Sequence, residues 1–479
     1  MTNPPLPGPP RPARPSHVHC REFSRSSVLH RAAAEAGRGL PAIEPGMPLP
    51  AGTGLDRRRF LSRAAGLGLV VYGAAALSPR MLDEGIARAA TEAAGQRALV
   101  SIFLPGGADG LNILYPAGDP AYHRLRPSIG LKADQGIAFR EDSRLHWHPS
   151  LAPVARELYA KGKVTVFPAI GYAHPDQSHF TSRHYWEVGA LDPQLRTGWL
   201  GRYLDVHGSA DNPLQGLSLD DQLQPPLASA RTPISTISSP EDYRFGSHHV
   251  WDDVSGLLTD SVGELGRLRL SPDPTLADAS HSAYEADQLR RRLGRFIDRD
   301  GHAKITVPRG IKYPDGGFAR KLSGLAAMLD AGFPIRAVAL TAPGSYDTHA
   351  DESGALANGL TQVADALVAF QHDLEARGLG RRVATLVWSE FGRRAAENAS
   401  QGTDHGAAGV GFLIGTGVSG RMIGEFPGFG KGLDGDGNVR ATSDYRSVYA
   451  SLLEQWYRVD AAAILPDAKK LARYRLLKA

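Results

Sequence analysis

The strongest constraint on this chain is a series of continuous apolar runs, each closed by glycine or polar residues. They are "RALVSIFLPGGADG" (97–110), "KVTVFPAIG" (163–171), "PIRAVALTAPG" (334–344), "RRVATLVWSEFG" (381–392) and "GVGFLIGTG" (409–417). An unbroken apolar run of this length fits a strand covered on both faces, as in a parallel sheet. Between the runs lie amphipathic stretches: "FARKLSGLAAMLDAG" (318–332), "LANGLTQVADALVAFQHDLEARG" (356–378) and "DYRSVYASLLEQWYRV" (444–459). In the second, Leu360, Val363, Leu367, Phe370 and Leu374 recur at helical spacing, and Gly378 suits a helix end. Strands alternating with crossover helices predict an α/β fold: a mostly parallel sheet with helices on both faces.

At 479 residues, 42% hydrophobic, the chain can bury a large core in one large domain or two ordinary ones. A turn-rich stretch at about 203–300, ending in the charged helix "SAYEADQLRRRLGRFIDRD" (282–300), reads as an insertion capping the sheet. The formal net charge is +4, and much of the excess sits in the arginine-rich N-terminal region. So small a surplus argues against a nucleic-acid partner. The single cysteine, Cys20, excludes an intramolecular disulfide.

Near the N-terminus, "DRRRFLSRAAGLGLVVYGAAALSP" (56–79) sets Arg57 and Arg58 before a short apolar stretch rich in glycine and alanine. That resembles a twin-arginine export signal, with "ARA" (87–89) as a cleavage site. The stretch is shorter than the roughly 20 residues of a spanning helix, so no stable membrane span is expected in the mature protein. The translocase would be the partner during export, leaving the protein periplasmic, cell-wall-associated or secreted. Residues 1–46, rich in Pro, Arg, Ala and Gly, read either as a disordered extension or as sequence ahead of a true start at Met47. The second reading makes 47–90 the signal and 97–479 the mature α/β domain.

Ligands of open α/β sheets bind beyond the carboxyl ends of the strands. Polar clusters recur at those positions. Asp109 follows the first run; His174, Ser178 and His179 follow the second; Asp347 and His349 the third; Glu390 and Arg393 the fourth. Asp404 and His405 immediately precede the fifth. Carboxylates and imidazoles drawn from separate strand ends can converge on a divalent cation. Each residue also has a structural reading. Asp109 could cap a turn, Ser178 could cap a helix, and Glu390 could pair with Arg393.

Taken together, "SIFLPGGADGLN", "GDPAYHRLRPSIGL", "HPDQSHF", "GWLGRYL", "YDTHA", "SEFGRRAAEN", "GTDHG" and "DYRSVYASLLEQW" resemble the domain-of-unknown-function family 1501, over about residues 97–460. That family is grouped with the alkaline phosphatase and sulfatase superfamily. The resemblance implies an alkaline phosphatase-like three-layer fold and hydrolysis of phosphate or sulfate esters. It implies a divalent metal (zinc, manganese or calcium) and a small-molecule or polymeric anionic ester as substrate. By residue, it makes Asp109 the first-strand ligand, Ser178 the nucleophile, and Asp347 and His349 a ligand pair. The next motif aligns by letters with Asp404 and His405, or by topology with Glu390. In the second case Phe391 stands where a histidine ligand belongs and His405 is the late single histidine. Arg393, with His174 or His179, would bind ester oxygens or protonate the leaving group. Two rivals accompany this expectation. One is an exported module that binds an anionic polymer or a partner protein without catalysis. The other is a serine hydrolase built on Ser178, although the chain has no G-x-S-x-G elbow.

Overall fold

The computed structural model describes residues 96–209, 212, 214–238 and 304–478, with scattered residues between 257 and 298. The extension, the export signal and Cys20 lie outside the described residues. No helix among the described residues is long and apolar enough to cross a membrane.

The apolar runs become strands of one central sheet. In chain order its strands and an adjoining hairpin are β1 (Ala98–Phe103), β2 (Val164–Gly171), β3 (Gly216–Ser218), β4 (Ser235–Thr236), β5 (Ala337–Thr341), β6 (Val383–Trp388), the hairpin strands β7 (Arg393–Glu397) and β8 (Thr403–His405), then β9 (Gly409–Ile414) and β10 (Ser443–Asp444). The sheet is 8-stranded, in the order β10-β2-β9-β6-β1-β5-β3-β4. Every neighbouring pair is parallel except those made by β9, which runs antiparallel to both β2 and β6. The reason is the connection. Parallel neighbours need a crossover, whereas the β7–β8 hairpin turns the chain at the carboxyl edge and sends it straight back. The start of β9 therefore lies at the edge where the parallel strands end.

The helices used below are α1 (Gly110–Ile113), α2 (Pro120–Leu125), α3 (His179–Val188), α4 (Trp199–His207), α5 (Gly317–Asp330), α6 (Glu352–Ala376) and α7 (Tyr445–Ser451). Side-chain alternation along each strand builds two cores. Val100, Ile102, Val338, Leu340, Val383 and Val387 face one way, against Leu322 and Leu325 of α5 and Leu360, Val363, Leu367, Phe370 and Leu374 of α6. Leu99, Phe103, Ala337, Ala339, Leu386 and Trp388 face the other, against Trp186, Trp199, Tyr203, Tyr445 and Tyr449 of α3, α4 and α7. The fold is a three-layer α/β sandwich.

One boundary needs correction. Within the stretch read as an insertion at 203–300, Gly216–Ser218 and Ser235–Thr236 are the last two strands at one edge of the sheet itself. At 3 and 2 residues they are too short to leave a periodic signal. Further along, Leu289, Leu293 and Phe296 of the charged helical stretch bury into the α5–α6 core.

Candidate metal centre

Two features bring distant segments to the carboxyl edge. The first is aromatic. Trp186 of α3 lies 5.3 Å from the Trp388 ring at the end of β6, stacked at 6°, and 4.3 Å from the Tyr445 ring of α7. This stacking fixes α3 against β6, so that His179 at the start of the helix meets Glu390 just past the strand. The second is the glycine turn after β1. Gly106 and Gly107 have φ of 115° and 68°, and a Cβ on either would run into the Asp347 backbone or the Phe391 ring. Only glycine allows both the conformation and the approach.

At this edge three imidazoles and one carboxylate converge. Asp347 Oδ1 is 3.1 Å from His349 Nε2, 3.4 Å from His179 Nε2 and 3.5 Å from His405 Nε2. His349 Nε2 and His405 Nε2 are 3.0 Å apart. Each ring is held through its other nitrogen. His405 Nδ1 is 2.8 Å from the Gln177 carbonyl oxygen, His179 Nδ1 is 2.8 Å from Glu390 Oε1, and His349 Nδ1 is 3.3 Å from Asp404 Oδ1. Those partners are acceptors, so Nδ1 donates, and Nε2 faces the centre with a lone pair in the neutral ring or a proton for Asp347 in the charged one. Lone pairs facing one another at 3.0 Å repel unless a cation or an added proton lies between them. For His405 the added proton is disfavoured: burial, helped by the His179 and Arg393 charges, lowers its pKa to about 4. His179 differs. Burial opposes its charged form, but Asp347 and Glu390 outweigh that and raise it above the ordinary value.

The donor set fits a borderline dication. Tetrahedral bonds of about 2.0–2.1 Å to nitrogen and oxygen place ligand atoms roughly 3.3 Å apart, close to the three separations from Asp347 Oδ1 and the one between His349 and His405. Three nitrogens and one carboxylate suit zinc or manganese better than calcium, which takes six to eight oxygens. His179, Asp347 and His405 form a group able to hold a metal ion among the described residues, and His349 adjoins it. Burial would raise the Asp347 carboxyl, but the three imidazoles and the Arg393 guanidinium outweigh it and hold Asp347 well below the usual carboxylate range.

Several expected roles change. Asp109 is not among these groups. It is fully buried, it caps α1 by accepting from Leu111 N, and both its oxygens bind the Arg126 guanidinium. Glu390 supports rather than ligates: it accepts from His179, from Gly106 N and from Ser389 Oγ. Asp404 likewise orients His349, with Asn398 Nδ2 on the same oxygen at 3.2 Å. Arg393 neither pairs with Glu390 nor faces an ester. Its fork is filled by Asp347 Oδ1 at 2.6 Å and by the carbonyls of Gly106, Gly107, Tyr346 and Thr403, with Nη1 also 3.4 Å from His349 Nε2. His179, expected as an acid or oxygen-binding group, is instead a member of the cluster. His174 is exposed, at a left-handed φ of 54°, and is not among the groups brought together. Phe391 packs its ring 4.8 Å from His179 and 4.9 Å from His405. Ser178 occupies the N-cap of α3 without a capping bond, and its buried Oγ has no hydrogen-bond partner among the described residues.

Sequence reading missed Arg126 and Glu352. Arg126 lies inside the block "GDPAYHRLRPSIGL", just past α2, yet nothing in that block points to Asp109. Glu352 opens α6, where an acidic residue ordinarily needs no explanation beyond the helix dipole. It is wholly buried, and burial followed by the nearby Asp109 charge raises its pKa to about 8. The folded protein therefore keeps a proton that the unfolded chain loses near 4.5. This contribution to stability is complete below the unfolded value and is lost as pH rises through about 8. Urea unfolding should show stability falling by on the order of a few kcal/mol between pH 5 and 9 from this group. Glu352→Gln should flatten the fall, and an unchanged pH slope in that variant would refute the assignment.

The family model described as "Protein of unknown function (DUF1501)" matches residues 194–466. The chain belongs to the DUF1501 family. Comparison with curated proteins gives no match. Among solved structures, this DUF1501 chain is similar to Ps i-CgsB, at 9% identity and a TM-score of 0.34, covering 79% of this chain and 75% of that one. It is also similar to a protein in the alkaline phosphatase superfamily from Vibrio parahaemolyticus (10%, TM-score 0.31, 87% and 77% covered). A third likeness is to the PsFucS1 sulfatase from Pseudoalteromonas sp. (10%, TM-score 0.29, 84% and 77% covered).

Proposed function

We propose that this DUF1501 protein is an exported, metal-dependent hydrolase of phosphate or sulfate esters with one metal. The observation that carries the reading is the convergence of His179, His349 and His405 Nε2 with Asp347 Oδ1, each ring held at Nδ1 by an acceptor. A dication held there would draw charge from an ester oxygen and lower the pKa of a nearby hydroxyl or water.

The chain's own residues supply the rest. Ser178 adjoins the ligand His179 at the N-terminus of α3, where the helix dipole favours an anionic ester. Its hydroxyl, with no partner of its own, is the candidate nucleophile. Arg393 balances the Asp347 charge and, by filling five acceptors, keeps that carboxylate aimed at the centre.

A second reading has one observation in its favour. Phe391 fills the position of a second imidazole ligand and Glu390 is already engaged, so a two-metal site is short of ligands. On that reading the same cleft binds an anionic polymer or partner protein without turnover. Elemental analysis of the purified protein, with assays on aryl phosphate and aryl sulfate esters, separates the two. Bound metal with chelator-sensitive hydrolysis supports the enzyme; bound metal without hydrolysis supports the binding module; absence of both sinks the centre. Export through the twin-arginine pathway rests on the "RRRFL" segment. Arg57→Lys with Arg58→Lys should leave the protein in the cytoplasm, and unchanged export would reject that pathway.

A further inference from the structure

From the buried contacts of Glu352 we infer that it is a positioning residue of the metal centre, holding two of its three ligand-bearing segments with one carboxyl oxygen. This inference builds on the metal-centre reading above. The ligands come from three stretches far apart in sequence: His179 opens α3, and the two stretches that Glu352 reaches carry Asp347 and His349 after β5 and His405 at the end of β8. Within each of those two a buried threonine flanks the ligands. Thr348 lies between Asp347 and His349, and Thr403 lies two residues before His405. Glu352 Oε2 accepts from both hydroxyls, at 3.1 Å from Thr348 Oγ1 and 2.6 Å from Thr403 Oγ1. The other oxygen, Oε1, accepts from Asn112 Nδ2 at 2.9 Å, and Asn112 Oδ1 accepts from Tyr122 OH at 2.6 Å. The same carboxyl thus ties these two ligand segments to α1, just beyond the end of β1.

The backbone already brings the segments together. Thr403 N donates to Thr348 O at 2.9 Å, and Gly402 lies so close to Thr348 and His349 that a side chain there would collide with them. Arg393 also bridges the two loops, through Asp347 Oδ1 and the Tyr346 and Thr403 carbonyls, and Glu352 N donates to the Gln401 carbonyl at 3.0 Å. The Glu352 carboxyl contacts act from beneath, on side chains, and fix the tilt that decides whether Nε2 atoms meet at one point. A ring displaced by a fraction of an ångström loses much of its value as a ligand, which is why supporting hydrogen bonds carry metal affinity. A fully buried carboxyl costs free energy unless its partners are met, and here the ligand loops provide them.

The test uses the full mature chain with Zn²⁺ as probe. Dissociation constants come from competition with a chromophoric chelator, and amide hydrogen exchange is followed over 346–349 and 403–405. Glu352→Ala should weaken Zn²⁺ about 10- to 100-fold and speed exchange in both segments, the range seen when ligand-supporting groups are removed. Glu352→Gln keeps one oxygen able to accept from both threonines, sets its amide nitrogen opposite Asn112 Nδ2, and should stay within about threefold of wild type. A purely structural role predicts no such rescue pattern, because Zn²⁺ affinity per folded molecule would not move. Should Glu352→Ala fail to fold, Thr403→Val and Thr348→Val each remove one hydroxyl while leaving the carboxyl in place. Affinity and exchange unchanged in both would overturn the inference. If the wild-type chain binds no Zn²⁺, the metal reading fails separately. Exchange then decides the anchoring role: faster exchange in both segments upholds it, and unaltered exchange rejects it.

Discussion

Asp347→Asn is expected to empty the metal centre while the protein stays folded, and Asp109→Asn to do the reverse. Asp347 offers one carboxylate oxygen to three imidazoles, within 3.1–3.5 Å. An amide of the same shape keeps a weak acceptor but loses the charge that a dication needs, so Zn²⁺ affinity should fall by roughly 100-fold or more. Arg393 loses its counter-charge in that variant but keeps its carbonyl acceptors, which limits the damage to folding. Asp109 makes its ion pair with Arg126 where both side chains are 0% exposed. Neutralising it leaves a buried guanidinium short of its anion, a change that typically costs about 3–5 kcal/mol. Metal per folded molecule should stay at the wild-type value. Elemental analysis and urea unfolding of both variants read the two effects independently. Metal loss in Asp109→Asn with stability intact would restore Asp109 as a ligand.

The contrast shows what the sequence could carry. The long strands and helices were legible because a strand buried on both faces, or a helix with one apolar stripe, writes its burial into consecutive letters. The antiparallel β9 explains why "TDHG" stands before its apolar run when every other cluster stands after one. Both arrangements reach the same edge. The division of labour within the cluster was not legible. "ADG" after β1 looks the same whether the aspartate binds metal or caps α1, and the deciding partner, Arg126, sits in another block. Glu390 and His179 exchanged expected roles because a carboxylate can as readily steady an imidazole as bind beside it. The choice rests on Gly106 N and Ser389 Oγ already occupying Glu390. The Gln177 carbonyl that orients His405 is a backbone group and has no letter at all.

Ser178→Ala should abolish ester hydrolysis, by on the order of 10³-fold or more, with metal content and melting temperature close to wild type. Loss of a nucleophile removes the covalent route and leaves only what binding and electrostatics provide. Had Ser178 been a working N-cap, the same change would cost about 1 kcal/mol of stability. Here the serine makes no capping bond, and Ser178 N is held instead by Asp176 Oδ1 at 2.8 Å. Removing a buried hydroxyl that has no partner among the described residues relieves a desolvation cost rather than breaking a contact, so the melting temperature should hold or rise slightly. The measurement is turnover of an aryl phosphate and an aryl sulfate, beside Zn²⁺ content and a thermal melt, on the same preparation. Full activity in a folded, metal-loaded Ser178→Ala protein would remove the serine from the mechanism. A water positioned at the His179, His349, His405 and Asp347 centre would then be the attacking group.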